Sequence, residues 1–326
     1  MIRYAILGSG WRSEFYLRIA TLMPKRFSVS AICIRNKEKQ SYFFKKYTVK
    51  IVNTVDELLG LDYDFVVNCV DKASICDTIT LLCKKGVPVL TETPINNLPE
   101  DYNDIWKVQL AEQFHFLPQN QAYKTIIDSG LLGDVHQVQI SCCHEYHAAS
   151  LIRFFLDTKD EIPKISTFSF DDNVYKYNSR QGLEKPNLVT SKQKISLLSF
   201  SGKTAVYDFS GEQYFSDIRA SRICIRGTNG EVVNNKCTYI KDGLPITFSL
   251  ERVQTGINEN LDGFSLVGIT GNGSYLYINP FENARLSDED IAIATCLENM
   301  YQYLKTSKAF YSLNEGIIDT TISNKF

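Results

Sequence analysis

Long apolar runs are missing from this chain: none reaches the roughly 18 residues that a helical membrane span needs. No CxxC pair occurs among its nine cysteines, and nine is an odd number. Most of them, such as Cys33, Cys69, Cys83 and Cys224, lie inside apolar runs. Buried, reduced thiols explain this better than a disulfide framework does. The basic residues form no block and the formal net charge is −2, so nothing marks a nucleic-acid footprint. Histidine is scarce, with four in all. The opening MIRYAILGSG enters a strand-like run without the basic, apolar and small-residue regions of a secretory leader. These absences lead to the expectation of a cytoplasmic protein with no membrane and no nucleic-acid partner. What remains is ordinary for globular proteins, 44% hydrophobic and 22% charged over 326 residues, a length that suits two domains.

The first 118 residues alternate strand and helix signals. Arg3–Leu7, Phe27–Ile34, Lys50–Asn53, Asp64–Val70 and Val87–Thr91 read as strands, the longer ones buried on both faces. Between them lie a helical stretch Trp11–Met23, the charged NKEKQSYFFKKY, a short helix Thr54–Leu59 that Thr54 could cap, and a helix ending at Lys85 before Gly86. Repeated β-α-β units with short connections imply a parallel, doubly wound sheet, a Rossmann-type domain over 1–118. From 119 the texture changes. After one helix, Gln119–Ser129, strand candidates are joined by the hairpin-like turns FSGK, GTNG and GNGS. Residues 119–326 read as an α+β domain with a large, mostly antiparallel open sheet. Ser287 followed by Asp288, Glu289 and Asp290 marks the start of a helix running to about Lys305. Asn173–Lys194 is polar and turn-rich, the signature of a mobile loop.

The first strand runs into Gly8-Ser9-Gly10-Trp11-Arg12-Ser13. In a dinucleotide fingerprint, the first glycine makes a tight turn and the second lets the backbone approach the pyrophosphate. A small third residue lets the helix pack on the strand. Gly8 and Gly10 fit, and Ser13 is small enough for the third role. The alternative is a glycine turn that binds nothing. An acid at the end of the second strand would bind the ribose hydroxyls of NAD; here that strand ends Ile34-Arg35-Asn36-Lys37. Arg35 favours a 2′-phosphate through charge-assisted bonds, so the cofactor expectation is NADP (or NAD). Its alternative is a solvated turn.

CCHEYHAAS, at 142–150, gathers two histidines and two cysteines. Its HEYH is HExH and not the HExxH of zinc proteases, and in a strand Cys142 and Cys143 would face opposite ways. No metal site is expected there. In GEQYFSDIR, at 211–219, alternation suggests a strand, and Arg219 could bind an anion or pair with a nearby acid.

From VPVLTETP onward the chain resembles the Gfo/Idh/MocA oxidoreductases. The features in order are the GSGWRS loop, the strand ending Glu92-Thr93-Pro94, FHFLPQNQAYKTIIDSGLLGDVHQVQIS, the His147 junction, the GTNG hairpin and a last helix followed by YSLNEG. The resemblance implies a Rossmann domain, and a C-terminal sheet that carries substrate and often an oligomer interface. It also implies hydride transfer between NAD(P) and a small polar substrate, a sugar- or polyol-type carbonyl or an imine. The family's Glu-Lys-Pro triplet is Glu92-Thr93-Pro94 here, so a neutral threonine replaces the proton-handling lysine. The aspartate four residues before the family's histidine is Cys143, and Ser150 follows His147 where relatives often carry another. The chain also resembles a variant branch with ETP, a YHxxSLIR junction and GEQYFSxIR.

On this resemblance, His147, Thr93 and Tyr146 are the candidate catalytic residues. Gly8, Ser9, Gly10, Trp11, Arg12, Arg35, Val70 and Glu92 are the candidate cofactor contacts. His115, Gln213, Tyr214 and Arg219 are the candidate substrate contacts. A homo-oligomer formed through the C-terminal sheet is expected. The rival reading is a noncatalytic dinucleotide sensor or regulator, and a redox-silent scaffold subunit is a third.

Overall fold

A computed structural model describes residues 1–99, 102–103, 105–256, 264–281 and 283–326. The chain divides into two compact units. The first comprises Met1–Pro118, Gln254–Val267 and Asn279–Ile317; the second comprises Gln119–Val253, Gly268–Ile278 and Ile318–Phe326. The sequence suggests a single passage at residue 118, whereas the chain passes between units several times.

In the first unit, β1 (Ile2–Leu7), β2 (Phe27–Cys33), β3 (Ile51–Val52), β4 (Phe65–Asn68), β5 (Val89–Thr91) and β6 (Val108–Leu110) form one sheet in the order β3-β2-β1-β4-β5-β6. Neighbouring strands pair in parallel throughout. The two central strands carry Tyr4, Ala5, Ile6, Val66 and Val67, all fully buried, as a sheet covered on both faces requires. Helices α1 (Ser13–Leu22), α2 (Lys37–Tyr47), α3 (Val55–Leu59) and α4 (Ile75–Lys84) connect them. Asn36 caps α2 through Lys39 N (3.0 Å), and Thr54 caps α3 through Glu57 N (3.2 Å). A later helix, α7 (Asp288–Thr306), begins with a capping box between Ser287 and Asp290. Arg18 on α1 grips that same Asp290 through Nε (3.0 Å) and Nη2 (2.6 Å). Strand order reverses beside β1, which is where doubly wound folds open a ligand crevice at the strand C-termini.

In the second unit, α5 (Pro118–Asp128) precedes β7 (Val135–Ser141), α6 (Glu145–Leu156), β8 (Lys164–Ser179), β9 (Gly182–Ser199), β10 (Thr204–Ser210), β11 (Arg222–Gly227), β12 (Gly230–Val233), β13 (Lys236–Lys241) and β14 (Leu244–Ser249). The eight strands form one sheet in the order β14-β13-β12-β11-β7-β10-β9-β8. Only the pairing of β10 with β7 is parallel. Lys194 lies opposite Phe209 in register and reaches Glu145 on α6, so this face of the sheet is the one α6 covers. Leu197 and Phe168 belong to the opposite face and are 53% and 68% exposed. One face is therefore packed and one is open.

Two local expectations are corrected here. Asn173–Lys194 is not a loop; it forms the outer half of the β8–β9 hairpin, with Val174 opposite Val189 and Tyr175 opposite Leu188. Ladder bonds come from the backbone, so a polar sequence can hold a strand whose side chains are largely solvated. GEQYFSDIR is not a strand either: Gly211–Phe215 is a 3₁₀ turn. The Gln213 amide fixes it by donating to Ser141 O (2.9 Å), Ser141 Oγ (3.1 Å) and Ala220 O (2.9 Å).

Candidate functional site

In the first unit the candidate site is built on the turn between β1 and α1. Gly8 has φ +117°, and a Cβ there would lie 2.4 Å from Cys69 O. Only glycine fits both the backbone and the close approach. At Gly10 a Cβ would meet nothing within 4 Å, so this backbone faces open space. Ser13 is fully buried and donates its hydroxyl to Gly10 O (2.5 Å), closing the turn where a third glycine usually allows tight packing. These features fit a dinucleotide: an exposed backbone cradle at the start of a helix whose dipole favours a pyrophosphate. Ser9, Gly10, Trp11 and Arg12 would hold it by backbone groups. Val70, partly buried two residues past β4, lies next to the Cys69 carbonyl that Gly8 approaches.

The Arg12 side chain is engaged within the protein. Its Nε lies 3.1 Å from Glu92 Oε2 and its Nη1 2.7 Å from Glu289 Oε1. Its guanidinium stacks 4.4 Å over the Trp11 ring. Gln113 Oε1 accepts from Nη2 at 3.1 Å in the amide orientation that satisfies both of its ends. The Tyr16 hydroxyl donates to the other oxygen of Glu92. Burial alone would lower the Arg12 pKa, but Glu92 and Glu289 outweigh it and hold the cation above its ordinary value. Burial, then Glu92, pushes the Tyr16 phenol up, so it stays a donor. Glu92 is thus held from α1, and the half-buried Thr93 follows it, joined to Pro94 by a cis peptide bond.

At the end of β2, Arg35 is exposed beside Asn36 and Lys37. Lys39, on the first turn of α2, places Nζ 3.1 Å from Ser9 O in the glycine turn. Sequence reading passed over Lys39, Tyr16 and Glu289. Lys39 could have been found as the cation one helical turn beyond the Asn36 cap, whereas Tyr16 and Glu289 carry no local signal. His115 packs edge-on to Tyr311, 5.0 Å between ring centres.

In the second unit the candidate site is the turn from β7 into α6. His144 occupies the N-cap position with extended backbone, φ −65° and ψ 161°. Its ring stacks on Tyr214 (5.7 Å, 21°) and meets Phe209 edge-on (5.3 Å, 80°). Tyr146 is buried and lies edge-on to the ring of the half-buried His147 (5.5 Å, 82°). Burial pushes the Glu145 carboxyl up, but Lys194 Nζ at 2.8 Å brings it below its ordinary value overall. Arg153, on the same helix, is buried against Asp319 (Nη1 to Oδ1, 2.6 Å) and donates Nε to Lys159 O (2.9 Å). Arg219 pairs with Asp172 (2.8 Å), among residues lining a groove of about 370 Å³ with Gln193, Asp208, Gln213 and Arg222. Tyr214 is therefore gathered with His144, while Arg219 is held on β8. Among the described residues no three His, Cys, Asp or Glu side chains come together as a metal site requires, and no helix is long and apolar enough to cross a membrane.

Residues 2–114 match the Gfo/Idh/MocA family, described as an oxidoreductase family with an NAD-binding Rossmann fold. No curated protein matches the chain in sequence. Among solved structures, an oxidoreductase from Agrobacterium radiobacter in complex with NAD+, L-tartaric acid and magnesium is 13% identical, with a TM-score of 0.66 over 99% of this chain and 94% of that one. A myo-inositol dehydrogenase from Corynebacterium glutamicum is 17% identical, with a TM-score of 0.62 over 99% and 95%. A levoglucosan dehydrogenase in complex with NADH and levoglucosan is 10% identical, with a TM-score of 0.65 over 99% and 95%. At these identities the likeness is one of fold. Residues 2–114 therefore resemble the NAD-binding Rossmann domain of the Gfo/Idh/MocA oxidoreductases, and over the rest of the chain the likeness is one of fold.

Proposed function

We propose that the protein is an NADP-preferring oxidoreductase acting on a small polar substrate of the sugar or polyol type, with an imine as the second substrate class. The carrying observation is the β1–α1 turn, where Gly8 is obligatory and Gly10 leaves its backbone open at the head of a Rossmann-ordered sheet. Bound nicotinamide supplies or accepts the hydride. The backbone of Ser9–Arg12 binds pyrophosphate, and Val70 borders it. Arg35 and Lys39 take the 2′-phosphate, an assignment supported by the absence of an acid at residues 34–37 and by the reach of Lys39 to Ser9 O. Arg12 and Tyr16 hold Glu92, so the backbone at Thr93 is set and its hydroxyl can hydrogen-bond a carboxamide or a substrate hydroxyl.

His147 takes up or releases the proton at a ring nitrogen as hydride moves, with the Tyr146 ring fixing its plane. Thr93 and Cys143 stand where the family's lysine and aspartate would, and neither handles protons well near neutral pH. Tyr214 is the substrate contact we place nearest the His144–His147 turn. Gln213 and Arg219 hold that segment, and His115 acts beside Tyr311. The names of the fold relatives support the polyol class. Exposed Phe168 and Leu197 on the open sheet face support a homo-oligomer through that face. Nine cysteines, none in a disulfide, support a reducing, cytoplasmic location.

Fluorescence titration with NADPH and NADH, followed by turnover on sugar, polyol and imine panels, tests the proposal. Binding of NADPH at least tenfold tighter than NADH, with turnover on one panel, is the expected outcome. The replacement of the lysine and the aspartate favours a dinucleotide sensor as the second reading, which predicts tight binding without turnover on any panel. Failure to bind either nucleotide contradicts both.

A further inference from the structure

We infer that Cys142 and Cys143 form a redox-active vicinal dithiol, a modification site at the head of α6 that closes to a disulfide when it meets a small disulfide oxidant. In an extended strand, neighbouring side chains point to opposite faces. Here the chain bends after Ser141, and Cys142 Sγ lies 3.8 Å from Cys143 Sγ.

Accessibility separates Cys142 from most of the other thiols. Cys33, Cys69, Cys83, Cys224, Cys237 and Cys296 are buried, and burial pushes each of these thiols up, away from the nucleophilic thiolate. Cys143 is buried as well, so Cys142 is the thiol of the pair that an oxidant can reach. Cys76 and Cys142 are the two that are partly exposed. Cys76 donates to Asn97 O at 3.1 Å. Cys142 has a second sulfur beside it, the arrangement of an attacking thiol next to a resolving one.

The reaction balances. The Cys142 thiolate attacks one sulfur of glutathione disulfide, forming a mixed disulfide and releasing one glutathione thiolate. Cys143, buried behind Cys142, gives its proton to the released glutathione thiolate and attacks Cys142 Sγ; the intramolecular disulfide forms and the second glutathione leaves. The protein loses two electrons and two protons, and the oxidant becomes two thiols. Neighbouring Cα atoms are about 3.8 Å apart across a trans peptide, closer than the spacing of about 4.4–6.8 Å that unstrained disulfides span. The product is therefore easily reduced again, the behaviour of a reversible site and not of a structural crosslink. None of this depends on the proposed hydride transfer.

The test treats the full-length protein with glutathione disulfide, then counts alkylatable thiols and weighs the intact chain. The inference predicts loss of two alkylatable thiols at 142–143 with a mass lower by two hydrogens, restored by dithiothreitol. Cys142→Ser should abolish the change, and Cys143→Ser should instead accumulate a stable glutathione adduct on Cys142. A stable adduct on the wild-type chain, unchanged thiols at 142–143, or a change that survives Cys142→Ser would overturn it. Should Cys143→Ser fail to fold, the wild type and Cys142→Ser still decide.

Discussion

The two candidate sites are both turns from a strand into a helix, and they are built in opposite ways. From β1 to α1 the chain uses backbone: Gly8 and Gly10 supply the geometry, and the nearby cation, Arg12, is committed to Glu92 and Glu289. From β7 to α6 there is no glycine. Cys142, Cys143, His144, Glu145 and His147 fill the turn with side chains, His144 packed on Tyr214 and Phe209 and His147 on Tyr146. A backbone turn suits an anion that looks the same in many ligands, such as a pyrophosphate. A side-chain turn suits selective, titratable chemistry. On the proposed function, cofactor binding would rest on shape and catalysis on a few reactive groups, so the two should respond to different substitutions.

The largest effect should come from behind the second turn. Arg153→Ala removes the cation that pairs with the buried Asp319 carboxylate, and urea unfolding should show a loss of about 3–5 kcal/mol. Gly8→Ala attacks the first turn, through positive φ and contact with Cys69 O; a loss of about 2–3 kcal/mol, together with loss of nucleotide binding, is expected by calorimetry. Nucleotide binding retained in that variant would mean the turn is not the pyrophosphate site. Lys39→Ala should weaken NADPH about tenfold and leave NADH within twofold in fluorescence titrations. Equal weakening of both would assign Lys39 to the turn itself.

The smallest effect concerns Glu145. Its folded pKa lies below the ordinary 4.5, so the stabilisation it contributes is complete above that pH and is lost as pH falls through the folded value. Lys194→Met should flatten the acid limb of a stability-against-pH curve by lowering stability above about pH 5 while changing little at the acid end. A steepened limb would contradict the pairing.

Much of the first unit was legible because buried parallel strands read as apolar runs and several helix boundaries carried a signal. Thr54 and Ser287 cap where expected, and Gly8 sits where the turn demands it. The second unit was legible as a sheet, less so in its parts. A two-stranded arm such as Asn173–Lys194 satisfies its backbone without an apolar face, so hydrophobic periodicity cannot reveal it. The 3₁₀ turn at Gly211–Phe215 is fixed by the Gln213 amide and a distant Ser141, a contact that local alternation cannot encode. The Arg12–Glu92–Glu289 cluster joins residues 277 apart in sequence, beyond the reach of any motif. The vicinal sulfurs were visible as CC, but a strand reading sent them to opposite faces; the bend brings them together.

The central claim is that His147 handles the proton without the family's lysine and aspartate. The most direct measurement is the rate of nicotinamide absorbance change for wild type, His147→Ala and Cys143→Ala on the substrate found by panel screening. The account predicts that His147→Ala lowers kcat by about 100-fold or more, with NADPH affinity unchanged and Cys143→Ala within about fivefold of wild type. Equal losses in both variants, or a His147→Ala enzyme as fast as wild type, would contradict it.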